Sequence, residues 1–150
     1  MRVPVFIFIL FILQASSCVR DAGECGATWY NKTDDRLTII NETSENITIS
    51  FSQEYPDDSL VLDQYVPNEQ KVNANDADNV GANNREKFSI RGCWESRFER
   101  IPSGKLRILI FKIDTIKALP ASEIINRRLY TSYLFTLEDL RAMNWHVVYQ

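Results

Sequence analysis

A single histidine in 150 residues leaves little room for histidine-based chemistry. A Ser-His-Asp arrangement would need that residue, His146, beside a nucleophile on a defined elbow. No G-x-S-x-G run supplies one, so a hydrolase reading would rest on His146 alone. One histidine and two distant cysteines cannot furnish a four-ligand zinc site, and neither a metal nor a cofactor is expected. The loop DADNVG (76–81) begins like a calcium loop, with acids at alternate positions and glycine sixth. Val80 then stands where an oxygen ligand is needed, and Lys87 where the closing glutamate belongs. An excess of basic charge is missing as well, with 17 Lys and Arg against 20 Asp and Glu and a net charge of −3. Nucleic acid is therefore not an expected partner, because the phosphate-neutralising term has the wrong sign.

Long apolar runs are also scarce. The longest, Val3 to Leu13, falls well short of the about 20 residues that a membrane-spanning helix requires. Preceded by Arg2 and followed by the small residues Ala15, Ser16 and Ser17, it has the layout of a secretory signal over residues 1–17. A signal peptidase reading small residues at Ala15 and Ser17 would cut before Cys18. A lipoprotein signal peptidase would cut the same bond and leave Cys18 carrying diacylglycerol; Ala15 stands where its signal usually has leucine.

The chain has three cysteines, and an odd number is awkward for an exported protein. Acylation of Cys18 would leave Cys25 and Cys93, which can pair in an oxidising compartment or stay as two free thiols. A bridge between them would close a loop of about 70 residues, worth roughly 3–4 kcal/mol in the chain-entropy model. Residues 18–35 read as a lipid-anchored tether and residues 36–150 as one domain, long enough for one core.

Within that domain the apolar residues alternate. RLTIIN (36–41) and NITISFS (46–52) read as an antiparallel hairpin around a short polar turn. LVLDQYV (60–66) reads as a short strand, residues 68–84 as a polar surface loop, and EKFSIRG (86–92) as a strand. In CWESRFERIP, Trp94, Phe98 and Ile101 fall at helical spacing. KLRILIFKID (105–114) is apolar on both faces and is expected at the centre of a sheet. ASEIIN (121–126) reads as a helical turn and RRLYTSYLFT (127–136) as a strand. TLEDLRAMN carries Thr136 as N-cap, early acids and Asn144 as a C-terminal cap, and WHVVYQ closes as a strand. The fold expected is mainly β, an antiparallel β-sandwich of about seven or eight short strands with two or three short helices.

From YPDDSL, and again through IPSGKLRILIFKIDT and LYTSYLFTLEDLRAMNWHVVYQ, the chain resembles the small envelope lipoproteins of gut Bacteroides and their relatives. The resemblance covers roughly residues 36–150. It implies an outer-membrane address, periplasmic or surface-facing, and the fold above, but no activity. It also implies that DSL (58–60) and DTI (114–116), similar to an O-glycosylation signal of that group, carry Ser59 and Thr115 as acceptors. The N-x-[ST] triplets at Asn31, Asn41 and Asn46 are then polar turns. Arg97, Arg100, Lys105 and Arg107 cluster in sequence around Trp94 and Phe98, as a solvated face or an anionic-partner patch. The function expected is a non-enzymatic accessory or interaction module, held to a membrane by its lipid and meeting a protein or glycan partner. The alternative is a carbohydrate-binding accessory protein that stacks sugars on Trp29, Trp94 and Trp145.

Overall fold

The computed structural model describes residues 32–73 and 78–150; the signal, Cys18, Cys25, Trp29, Asn31 and the start of the calcium-like loop lie outside them. Seven strands form two sheets, a small β-sandwich-like fold. They are β1 (Thr33–Asn41), β2 (Ile47–Ser52), β3 (Asn79–Val80), β4 (Arg85–Arg91), β5 (Leu106–Lys112), β6 (Thr131–Phe135) and β7 (His146–Tyr149). One sheet runs β4-β1-β7 and the other β3-β2-β5-β6. Five short helices connect them: α1 (Glu69–Asn73), α2 (Trp94–Phe98), α3 (Ile113–Ala118), α4 (Ala121–Asn126) and α5 (Leu137–Ala142). No helix among the described residues is long and apolar enough to cross a membrane.

The core has two layers because β5 is apolar on both faces. Leu106, Ile108 and Ile110 face the other sheet, where they meet Leu37, Ile39, Phe88, Trp94 and Val147. Leu109 and Phe111 face the opposite way, under Val72, Ile113, Ile116 and Ile124 from the helices. Each buried aliphatic side chain contributes about 1.5–3 kcal/mol, so this strand anchors both layers.

Several local readings change. The segments 36–41 and 46–52 do not pair as a hairpin: β1 pairs with β4 and β7, and β2 with β3 and β5. Alternation cannot distinguish two strands in one sheet from two strands facing across a sandwich, and Asn41 decides the matter. Its buried amide donates to the carbonyls of Glu45 (2.7 Å) and Gly81 (2.9 Å) while its Oδ1 accepts from the Thr43 N–H (3.1 Å). That side-chain turn carries the chain out of one sheet and into the other. The β1–β7 pair is parallel, Thr38 opposite His146 and Ile40 opposite Val148, so the sandwich is mixed and not wholly antiparallel.

Residues 60–66 are not a strand but two 3₁₀ turns, Asp57–Leu60 and Leu62–Tyr65. Leu62, Tyr65 and Val66 lean on the outer core layer at helical spacing. The polar stretch 68–84 contains α1, started by the Asn68 side chain accepting from the Lys71 N–H (2.9 Å) and held by buried Val72. The central strand stops at Lys112, where Ile113 and Ile116 turn into α3 and bury one helical face. β6 starts only at Thr131, because Arg127 and Arg128 end α4 and Arg128 takes a left-handed φ of 54°. At α5 the Thr136 N-cap is a full capping box with Asp139. Asn144 leaves the helix at a φ of 52°, the left-handed exit that asparagine tolerates.

Candidate functional site

An arginine in the middle of a buried strand needs a partner. Arg107 projects from the same face of β5 as Leu109 and Phe111, and its side chain is 8% exposed. Asp58, from the first 3₁₀ turn, is fully buried above it, with Oδ1 3.1 Å from the guanidinium Nη1. The Arg107 Nη2 donates to the Ser59 hydroxyl (3.2 Å), and the guanidinium lies 4.6 Å from the centre of the Tyr55 ring. Tyr55 itself precedes a cis proline, Pro56. The ion pair is close but poorly aligned: neither Asp58 oxygen accepts a hydrogen bond and Arg107 Nε donates none, among the described residues.

The result is a surface turn pinned from below. Its polar roots are buried while its tip points outward, and Leu60 is 90% exposed, far beyond the next large apolar side chains Leu134 and Val148 at 38% and 37%. Beside it, the Tyr65 hydroxyl donates to Glu54 (3.0 Å), and the Glu54 N–H donates to Ser52 Oγ (3.2 Å). The sequence groups Arg107 with Arg97, Arg100 and Lys105 around Trp94 and Phe98; in the fold Arg107 is buried on the other face of β5, with Leu109 and Phe111.

The remaining site residues fall as follows. Ser59 is exposed on the pinned turn, next to Leu60. Thr115 is half-buried in α3, and the Ile116 that follows it is in the core. The two triplets expected to carry sugars are thus presented in opposite ways. Trp94 and Trp145 are 2% and 8% exposed, with ring centres 6.1 Å apart in the inner core. Neither offers a face to a sugar, so the stacking role expected of both is withdrawn; Trp29 lies outside the described residues. Cys93 is disulfide-bonded, and its partner cysteine lies outside the described residues. His146 is exposed on β7. No group of three or more His, Cys, Asp or Glu side chains gathers to hold a metal among the described residues.

A second polar cluster braces the end where Cys93 sits. The β1–β4 register is irregular between Asp34 and Leu37; such bulges re-aim side chains. Asp34 accepts from the Arg36 Nη2 (2.6 Å) and from the Trp94 N–H at the start of α2 (3.1 Å). Arg36 also reaches Glu95 (2.6 Å), which takes Arg141 from α5 (3.2 Å), and its guanidinium covers the Trp145 ring at 4.3 Å. Glu95 thereby ties together residues from β1 and α5.

Burial pushes the Asp34 carboxyl up, but Arg36 and the Trp94 and Arg36 N–H groups outweigh it and hold the group below its ordinary 3.8. The Thr136 N–H, then its hydroxyl, do the same for Asp139. Folded values below the unfolded ones mean that both carboxylates stabilise the fold fully above pH about 4 and less as pH falls through the folded values. The urea midpoint is expected to drop as pH is lowered from 5 towards 2, and to drop less in Asp34→Asn and Asp139→Asn variants. Equal acid sensitivity in all three proteins would remove these two carboxylates from the account.

No protein-family model, curated protein or solved structure matches this chain.

Proposed function

We propose that this protein is a non-catalytic interaction module of a bacterial envelope, tethered through an acylated Cys18 and presenting its 55–60 turn to a partner. The observation that carries this reading is the pinned turn. A buried ion pair with unmatched oxygens adds little to stability, yet here it fixes the one segment among the described residues that holds a leucine almost wholly in solvent. Large exposed apolar side chains on rigid turns suit recognition, where immobilising the contact beforehand lowers the cost of binding. The tether rests on the signal-like N-terminus and the cysteine count.

Glycan binding is the weaker alternative, since two of the three tryptophans it would use are in the core. A hydrolase would have to be built around His146.

Two readouts from one cell preparation test the proposal. Intact mass of the protein from the membrane fraction is expected to show a chain beginning at Cys18 and carrying acyl groups. Hexose-like mass on top of that, lost in Ser59→Ala, would assign the sugar to the pinned turn. A photo-crosslinking residue at position 60 is expected to give one discrete adduct in intact cells, while the same residue at exposed Arg85 gives none. An unmodified chain starting at Cys18 would sink the tether, and identical adduct patterns from both positions would sink the recognition turn.

A further inference from the structure

Sheet edges invite pairing, and natural proteins guard them with charge, proline, bulges or brevity. Three of the four edges here follow that rule. β4 carries Arg85, Glu86, Lys87 and Arg91; β3 is two residues long and β7 four. β6 is different. From Leu129 to Thr136 the sequence LYTSYLFT has no charge, proline or glycine, and among the described residues β6 pairs on one side only, with β5.

The ladder shows which backbone groups are open. Ile113 N–H donates to the Asn46 carbonyl, and alternation from that bond aims residues 107, 109 and 111 of β5 at β2. Residues 106, 108 and 110 then serve β6, opposite Phe135, Tyr133 and Thr131. The N–H and C=O groups of Ser132 and Leu134 therefore point outward. Thr136 N–H is already used by Asp139 (2.8 Å), which closes the ladder at that end.

We infer that β6 is a self-association edge, and that a second copy of this chain adds to it antiparallel, about a two-fold axis at Tyr133. That register sets Ser132 opposite Leu134 of the second copy, and the reverse. In antiparallel sheets such a pair exchanges both of its hydrogen bonds, so four bonds form and every outward group of β6 is satisfied. Charge selects the same arrangement. Arg127 and Arg128 flank the strand at one end, and Glu138 and Asp139 at the other. An antiparallel seam brings the Arg127–Arg128 end of one copy to the Glu138–Asp139 end of the other, at both ends of the seam. Parallel pairing would set like charge against like. The contact is isologous and closes at two copies, turning two four-stranded sheets into one of eight.

Sedimentation velocity of the full chain in detergent, over a range of protein concentrations, tests this. The wild type is expected to shift from monomer to dimer as concentration rises. Leu134→Lys adds a charge at an outward position that the β5 ladder does not use, and is expected to weaken the dimer by roughly tenfold or more while the far-UV spectrum is unchanged. Arg128→Glu and Glu138→Lys are each expected to weaken it a few-fold, and the Arg128→Glu/Glu138→Lys double exchange to restore it. A monomer at all concentrations, or a dimer indifferent to Leu134→Lys, overturns the proposal. A dimer strengthened by Arg128→Glu also overturns it, since that outcome belongs to parallel pairing.

Discussion

Asp58→Ala is expected to destabilise the protein by about 3–5 kcal/mol, the cost of leaving a buried guanidinium without its counter-charge. Domains of this size are stable by only about 5–15 kcal/mol, so the urea midpoint should fall by a large fraction. Arg107→Ala should cost a similar amount, because it strands a carboxylate that is fully buried and accepts no hydrogen bond among the described residues. The pair itself is another matter. Its geometry leaves both Asp58 oxygens and Arg107 Nε unmatched, so its mutual attraction does little beyond offsetting desolvation. Replacing both partners with apolar residues, Asp58→Leu with Arg107→Met, is therefore expected to recover most of the loss. That cycle separates stability from purpose. If the pair exists to hold the turn, the double variant folds but loses the Ser59 contact and the fixed position of Leu60, and the crosslink from position 60 disappears. A double variant as unstable as either single change would show instead that the site cannot collapse around apolar groups.

Arg107 also shows where sequence reading ran out. KLRILIFK announced a strand buried on both faces, and the structure bears that out. The same alternation should have raised a question about the one charge inside it. An arginine in line with Leu109 and Phe111 must be buried too, and a buried arginine requires an acid from elsewhere in the chain. YPDDSL offered one, but nothing local says that a turn some 50 residues earlier folds over β5; that information is tertiary. The crossing from β1 to β2 was hidden for a related reason. Leu37, Ile39, Ile47 and Ile49 alternate in the same way whether they share a sheet or oppose one another. Only the buried Asn41 side chain, tied to Glu45 and Gly81, specifies the crossing. Local chemistry was legible wherever it is self-contained, as in the Thr136 capping box and the Asn144 exit. Short helices with only two inward residues, such as Ile113 and Ile116 of α3, give too little periodicity to separate from the strand they follow.

Trp145→Ala and Trp94→Ala are each expected to cost about 3–5 kcal/mol, the range for deleting a large aromatic from a packed core. A sugar-stacking role would give the opposite signature, a folded protein that has lost a ligand. Trp94 lies between Phe51 (6.5 Å between ring centres) and Trp145 (6.1 Å), and Phe51 in turn meets Phe88 edge-on at 5.4 Å. The chain of rings crosses the sandwich from β2 to the start of β7, so truncating one leaves its neighbours facing a void. Trp145 bears a further load. It takes a left-handed φ of 62°, which costs an L-residue roughly 1–2 kcal/mol. The strain is met by Arg36 over its face and by its carbonyl, which accepts from the Thr38 N–H at 2.8 Å. Removing the ring leaves the strained backbone without the packing that holds it, so Trp145→Ala should sit at the upper end of the range. Trp94 differs in having an indole N–H that is buried without a partner among the described residues. Trp94→Phe discards that unmatched donor while keeping most of the ring, and should cost clearly less than Trp94→Ala. Urea titrations followed by tryptophan fluorescence and far-UV dichroism together would read all three. Trp94→Ala and Trp145→Ala proteins with wild-type midpoints would put both rings outside the core and return them to the surface role withdrawn above.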